Sequence, residues 1–264
     1  MGNAIDDDFL ATMRAAAEEC RQRAAALQAH RETCAERKLG QRCAECRSEH
    51  CVDCRVLTLD ADPSNRCEPC KVMRARKEGI AGALASIPPR YALASFNESA
   101  FLGHVTDYRA RAAGKQAAAT RARSLVLLGA AGAGKTTLAV AMLRLVIDVA
   151  LEPGCSPEAL RDARRALFVT SIGLAKARGE HRLGGGEAPL VDRAMTASVL
   201  VVDDLGNEED RYGTAVRDVI NERHNFERPT WVTTFLEPGE VATRYGAGIA
   251  RRLYEERPPI RVSR

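Results

Sequence analysis

Residues 129–136 carry the densest chemistry in the chain: Gly129, Ala130, Ala131, Gly132, Ala133, Gly134, Lys135 and Thr136 complete the pattern G-x-x-x-x-G-K-[ST]. The apolar run Leu125–Leu128 precedes it, and a helix-forming run from Thr137 to Leu145 follows. Small residues let consecutive backbone N–H groups curl around a β-phosphate, and the start of the next helix adds a favourable dipole. Gly129 through Thr137 are therefore the expected nucleotide-binding residues. Lys135 is expected to reach the β- and γ-phosphates, and Thr136 to ligate Mg²⁺. A phosphate loop needs an acidic partner strand, and Val199-Leu200-Val201-Val202-Asp203-Asp204-Leu205-Gly206 supplies one. The apolar residues read as a buried strand with acids at its carboxyl end. Asp203 is then the magnesium-associated carboxylate, and Asp204 orients or deprotonates the attacking water.

A second chemistry lies upstream. Six of the nine cysteines fall between Cys43 and Cys70, spaced Cys43-x2-Cys46-x4-Cys51-x2-Cys54-x12-Cys67-x2-Cys70. Two C-x2-C pairs separated by a hairpin-length segment match a four-cysteine zinc ribbon, in which each tight turn aims two thiolates at one ion. Cys51 and Cys54 with Cys67 and Cys70 fit best. Cys43 and Cys46 either replace one pair or build a second site with Cys34, His50 or His30. Bound zinc would supply folding energy to a segment poor in apolar residues, so the site reads as structural. Cys20 and Cys155 have no partner at ligand spacing. His104, His181 and His224 read as ordinary surface or core histidines.

These groups need elements to hold them. From Ser124 onward strands and helices alternate: strands at 124–128, 166–171, 199–202 and 230–234, with helices at 136–149, 172–178 and 214–226. Continuous Val/Leu strands between helices imply an α/β fold, a doubly wound parallel sheet covered on both faces. Residues 8–39 read as a helix with a narrow stripe of Phe9, Met13, Ala16, Cys20, Ala24 and Leu27. A short helix over 72–86 ends at Pro88-Pro89, and Ile87–Phe96 reads as an extended lead-in. The expected division is a helix at 1–40, a zinc-binding module at 41–86 and a nucleotide-binding domain at 87–264.

Composition agrees and excludes several classes. With 264 residues, 45% apolar and 28% charged, the chain has enough core for a folded soluble protein and is not a disordered or disulfide-stapled one. The longest apolar run, Leu138–Leu151, is broken by Arg144 and Asp148 and is too short for a bilayer, so no membrane partner is expected. Asp6-Asp7-Asp8 stands where a signal peptide would be basic, so the chain reads as cytoplasmic. In that reducing compartment paired cysteines read as metal ligands. The net charge of +4 names no partner. Residues 1–80 hold 14 acidic and 14 basic residues, a balance that disfavours a purely electrostatic grip on DNA.

Over residues 87–255 the sequence resembles the DnaC/IstB-like branch of the AAA+ ATPases, which includes bacterial and phage helicase loaders. The resemblance rests on the phosphate loop, on Val201–Gly206 and on Ile220-Asn221-Glu222-Arg223-His224-Asn225-Phe226-Glu227-Arg228-Pro229-Thr230-Trp231-Val232-Thr233-Thr234. It rests also on Arg244-Tyr245-Gly246-Ala247-Gly248-Ile249-Ala250-Arg251-Arg252-Leu253 and on the lead-in Ile87-Pro88-Pro89-Arg90-Tyr91 with Ser95-Phe96. It implies an ATPase that binds ATP and Mg²⁺, holds single-stranded DNA, assembles with copies of itself and delivers a replicative DNA helicase. Thr233 and Thr234 then end the strand of the γ-phosphate sensor. The family often has Asn where this chain has Phe235, so the role falls to Thr234 or is weakened. Many AAA+ proteins have Glu where this chain has Asp204, which suggests slow turnover. Arg252 fits the arginine finger that acts in trans, with Arg251 and Arg244 as alternatives, and Arg264 or Arg261 could replace a second sensor. Zinc modules before the lead-in are common in loader-like relatives and imply a helicase-docking role for the cysteines. Two other functions remain open: an IstB-like transposition helper acting on DNA and a transposase, and a nucleotide-gated adaptor with little hydrolysis.

Overall fold

A computed structural model of the chain describes residues 68–152, 154–182, 184–209 and 214–264, together with residues 18, 22, 25, 49–50 and 57–58. The chain divides into two units, residues 1–75 and 76–264. In the first, β1 (Glu49–His50) pairs antiparallel with β2 (Leu57–Thr58), with Glu49 opposite Thr58 and His50 opposite Leu57. Residues 18, 22 and 25 are helical and exposed, and the rest of the expected helix over 8–39 lies outside the described residues. So do Cys43, Cys46, Cys51, Cys54 and Cys67; Cys70 is described and sits half-buried near the start of α1 (Glu68–Ala85).

The second unit is built on a five-stranded sheet in the order β4-β5-β6-β3-β7. Its strands are β3 (Ser124–Leu128), β4 (Leu167–Thr170), β5 (Leu200–Leu205), β6 (Thr230–Thr234) and β7 (Ile260–Arg261), all paired in parallel. β3 and β6 are buried along their whole length. Successive side chains point to opposite faces of a strand, and the core divides accordingly. Leu125, Leu127, Phe168, Val199, Val201 and Trp231 enter one apolar cluster; Val126, Leu167, Val169, Leu200, Val202 and Val232 enter the other.

Helices cover each face. Ile80 and Ala83 of α1, Phe101 of α2 (Ser99–His104), α3 (Tyr108–Ala119), α4 (Lys135–Asp148) and α5 (Pro157–Arg164) contribute to the first cluster. α6 (Ser171–Gly179), α7 (Pro189–Thr196), α8 (Thr214–Asn225), α9 (Pro238–Tyr245) and α10 (Ala247–Tyr254) contribute to the second. This is the doubly wound parallel α/β architecture expected from the strand pattern. No described helix is long and apolar enough to cross a membrane.

Some elements carry no clear sequence signal. α3 buries Ala110, Gly114, Ala117 and Ala118, residues too small to stand out as an apolar stripe. β7 has two residues, too few for alternation to be read. The stretch read as an extended lead-in is instead folded onto the core. Pro89–Tyr91 form a 3₁₀ turn, Ile87 and Ala94 are buried, and the Phe96 ring meets Phe101 edge-on at 5.1 Å between centroids.

Candidate functional site

Parallel strands put their carboxyl ends on one side, and β6 lies between β3 and β5 there. The phosphate loop leaves β3, Asp203 and Asp204 lie near the end of β5, and Thr233 and Thr234 end β6. Gly134 starts α4 at φ 93°. A Cβ at that position would lie 2.9 Å from the His104 carbonyl oxygen, so both conformation and space require glycine. Lys135 follows and is 8% exposed. Its Nζ donates to the carbonyls of Gly129 at 2.9 Å and Ala130 at 3.0 Å. Burial pushes the ammonium pKa down, and the charges of Asp204 and Asp203 oppose that shift.

Asp203 is 4% exposed and receives two hydroxyl hydrogen bonds on one oxygen. Thr136 Oγ1 donates to Oδ1 at 2.9 Å, and Thr233 Oγ1 donates to the same atom at 2.6 Å. Burial raises the Asp203 pKa, the two hydroxyls lower it, and neighbouring Asp204 raises it further. The donor set suits a hard divalent cation: a hydroxyl and a carboxylate oxygen within 2.9 Å of each other at a phosphate loop. Thr233 also ties the second acid, because its hydroxyl accepts from the Asp204 backbone N–H at 2.9 Å. Asp204 sits in the left-handed region at φ 56°. That conformation is fixed from the other side by Ser171 Oγ, which donates to the Asp204 carbonyl at 2.7 Å. Thr234 is fully buried, and its hydroxyl donates to the Leu205 carbonyl at 2.8 Å.

An open cavity of ≈ 540 Å³ lies against these groups. The phosphate loop with Thr137, then Asp204, Asn207 and half-exposed Phe235, line it together with Arg90, Tyr91 and His104. The Arg90 guanidinium lies 4.6 Å from the centroid of the Tyr91 ring. Those three residues precede the sheet and belong to none of the sequence motifs that carry site chemistry. The signal for two of them was the Pro-Pro-Arg-Tyr lead-in, whose packing against the loop is a tertiary property.

The C-terminal residues complete the surround. Val262 donates its backbone N–H to the Leu128 carbonyl at 2.8 Å. A Cβ on Gly129 would lie 2.3 Å from the Val262 carbonyl oxygen, so close chain approach also requires glycine there. Arg264 Nε donates to the Gly132 carbonyl at 3.3 Å. Ser263 donates to Asp107 through its backbone N–H at 3.1 Å and its hydroxyl at 2.6 Å. Asp107 meanwhile caps α3 by accepting from Ala110 N–H at 2.9 Å. These hydrogen bonds, that of Ala110 first, hold its carboxyl down to about 2. Arg261 is instead paired with Glu237 at 2.8 Å.

The remaining arginines lie elsewhere. The Arg252 carbonyl accepts from Ser124 Oγ at 2.8 Å, at the start of β3 and therefore at the opposite end of that strand from the phosphate loop. Arg252 Nε is buried with no hydrogen-bond partner among the described residues. Arg251 pairs with Glu255 at 3.6 Å, and Arg244 donates to the Glu208 carbonyl.

No protein-family model matches the sequence, and no curated protein matches it significantly. Solved structures do match. A crystal structure of the DnaC helicase loader is similar with a TM-score of 0.51 and 20% identity, over 67% of this chain and 100% of that one. A crystal structure of DnaI gives 0.46 and 19%, over 71% of this chain and 94% of that one. AMPPCP-bound DnaA from Aquifex aeolicus gives 0.42 and 19%, over 57% of this chain and 44% of that one. With its parallel sheet and both faces covered by helices, the chain shares the α/β fold of the DnaC helicase loader crystal structure.

Proposed function

We propose that the chain is an ATP-dependent helicase loader that binds ATP and Mg²⁺, assembles with copies of itself and delivers a replicative DNA helicase to single-stranded DNA. The observation that carries the ATPase half is the joint formed by Thr136, Asp203 and Thr233 beside buried Lys135. The loader half is supported by fold likeness to the DnaC helicase loader.

In this reading the β- and γ-phosphates occupy the loop cradle, and Lys135 exchanges its two loop carbonyls for phosphate oxygens. Thr136 and Asp203 would hold Mg²⁺, which would supply positive charge against the phosphates. Asp204 orients a water opposite the leaving ADP oxygen and accepts its proton as the new P–O bond forms and the bond to ADP breaks. Arg252 serves a neighbouring copy. Its place at the far end of β3, roughly 17 Å away at about 3.3 Å per residue, is unsuited to the chain's own nucleotide and suited to another's. Arg264 on the phosphate loop takes the second-sensor role. Cys51, Cys54, Cys67 and Cys70 hold one structural zinc in a helicase-docking module, and Cys43 and Cys46 become ligands only if they replace one of those pairs or build a second site. The β1–β2 hairpin, which brackets Cys51 and Cys54 in sequence, supports this module.

The test is steady-state ATP turnover of the full chain with and without single-stranded DNA, with Lys135→Ala as control, beside a pull-down of the host's replicative helicase. The expected result is turnover that Lys135→Ala abolishes and helicase retained on the full chain. Absence of helicase binding in every nucleotide state overturns the loader reading.

One observation favours a second reading. The Thr234 hydroxyl is committed to the Leu205 carbonyl, and Phe235 presents an apolar ring to the cavity. A β6 end without a free polar group suits a nucleotide-gated adaptor, which would bind ATP tightly and turn over no faster than Lys135→Ala.

A further inference from the structure

Four residues beyond Asp204 the chain buries a carboxylate that the nucleotide site does not use. The Glu208 side chain is 0% exposed. One of its oxygens, Oε2, accepts from the Gly206 backbone N–H at 3.3 Å and so closes the turn that follows Asp204. The same turn is closed by Asn207 N–H donating to the Asp204 carbonyl at 3.2 Å. The other oxygen, Oε1, accepts from Tyr245 Oη, and Arg244 Nε lies 3.9 Å from it. Arg244 also donates to the Glu208 backbone carbonyl. Glu208 therefore grips the last two residues of α9 with both its side chain and its main chain.

What lies on each side of this grip gives it meaning. On one side is the nucleotide cavity, lined by Asp204 and Asn207. On the other side α9 ends, Gly246 turns the chain at φ 93°, and α10 carries Arg251 and Arg252. The turn after the catalytic strand and the corner bearing the arginines are thus joined through one buried residue. An apolar residue would fill this volume without the desolvation cost of a carboxylate, but it could not make the side-chain contacts by which Glu208 joins the Gly206 turn to Arg244 and Tyr245. Glu208 fixes the corner to the turn.

We infer that Glu208, with Arg244 and Tyr245, is a positioning group that couples the state of the Asp204 turn to the placement of the α10 arginines against a neighbouring copy's ATP. The inference rests on the assembly reading given under Proposed function. ATP that draws Asp204 and Asn207 toward the cavity moves the Gly206–Glu208 turn, and α9 and α10 follow as a unit. By the same route, docking of α10 on a neighbouring copy biases the turn in its own subunit. Arg244, an alternative arginine finger by sequence, acts here inside its own chain.

The test compares the full-length protein with Glu208→Gln, which keeps the shape and an acceptor for Tyr245 while removing the charge, and with Tyr245→Phe, which removes one hydroxyl. Two quantities are read: the affinity for a fluorescent ATP analogue on dilute protein, and ATP turnover as a function of protein concentration. Each variant is expected to keep its affinity within about twofold and to lose roughly tenfold in the concentration-dependent part of turnover. Glu208→Gln combined with Arg252→Ala is expected to fall no further than Arg252→Ala alone. Parallel loss of affinity and turnover, unchanged turnover, or independent multiplication of the two mutations would each overturn the coupling role. If Glu208→Gln does not fold, Tyr245→Phe decides by the same criteria. If Arg252→Ala has no effect in the otherwise unaltered chain, the assembly reading fails and the coupling with it. An Arg252 effect without a Glu208 or Tyr245 effect overturns the coupling alone.

Discussion

Asp203 shows what burying a carboxylate at the proposed site costs in stability. Burial raises its pKa above the ordinary 3.8, so the folded chain holds its proton more tightly than the unfolded chain does. Between 3.8 and the raised value the folded state binds more protons, and this residue's contribution to stability grows as pH falls through that window. At neutral pH the buried charge is a net cost, because desolvation, with the Asp204 charge, outweighs the Thr233 and Thr136 hydrogen bonds and the Lys135 charge. Asp203→Asn is therefore expected to raise the melting temperature of the nucleotide-free protein at pH 7. It should also cut Mg²⁺-dependent turnover by on the order of 10²-fold or more. A melting curve beside a turnover assay checks both halves, and a lowered melting temperature would contradict the argument. Arg223 makes the opposite case. Its side chain is fully buried, and its guanidinium donates to the carbonyls of Ala194 at 2.8 Å and Ala197 at 2.7 Å, to Pro229, and to Thr230 Oγ1 at 2.8 Å. Burial, with Arg228 and Arg165 nearby, pushes its pKa down to about 9. Arg223→Met strands these carbonyls without a donor and is expected to cost about 3 kcal/mol or more by denaturant titration.

At the scale of elements, the C-terminal segment and α3 form a unit through Asp107. Its cap on Ala110 and its two bonds from Ser263 are made by the ionised carboxylate. Because its folded pKa is about 2 against the ordinary 3.8, the stabilisation is present above 3.8 and is lost as pH falls through about 2. Asp107→Ala is expected to cost about 1 kcal/mol as a lost cap. It should flatten the acid limb of the stability curve near pH 2–4, a window set by those two pKa values. Hydrogen exchange at Val262 and Ser263 should rise in the same variant, and unchanged protection there would refute the link. None of this coupling was legible beforehand. Asp107 and Ser263 are 156 residues apart, and neither sits in a recognisable motif. The phosphate loop, by contrast, was complete in eight consecutive residues, because its chemistry is made by local backbone geometry.

At the scale of the whole molecule, the chain divides into residues 1–75, which include most of the cysteines, and residues 76–264, which carry the packed parallel sheet. The proposed zinc gives the first its own source of stability. If Cys51, Cys54, Cys67 and Cys70 bind one zinc, purified protein should carry one zinc per chain by metal analysis. A ratio of two would bring Cys43 and Cys46 into a second site. Chelation is expected to unfold that segment while leaving ATP-analogue affinity unchanged within about twofold, because metal-bound modules owe their folding to the ion and packed α/β cores do not. Loss of zinc without loss of structure in that segment would overturn the structural role.

The sequence by itself determined the features that local chemistry encodes. The phosphate loop, the acidic strand end, the α/β class and the two-sided burial of the sheet all follow from contiguous residues and their spacing. Tertiary structure decided which residues meet. Strand order places β6 between β3 and β5, and that order alone lets the Thr233 hydroxyl join Asp203 to Asp204 while Thr234 turns to a backbone carbonyl. Packing brings Arg90, Tyr91 and His104 to the cavity and Arg264 to the loop, and sets Glu208 between the site and the arginine-bearing helix. The physical reason is range. Hydrophobic periodicity and backbone conformation act over a few residues, whereas strand order and side-chain partners are set by burial across the whole core.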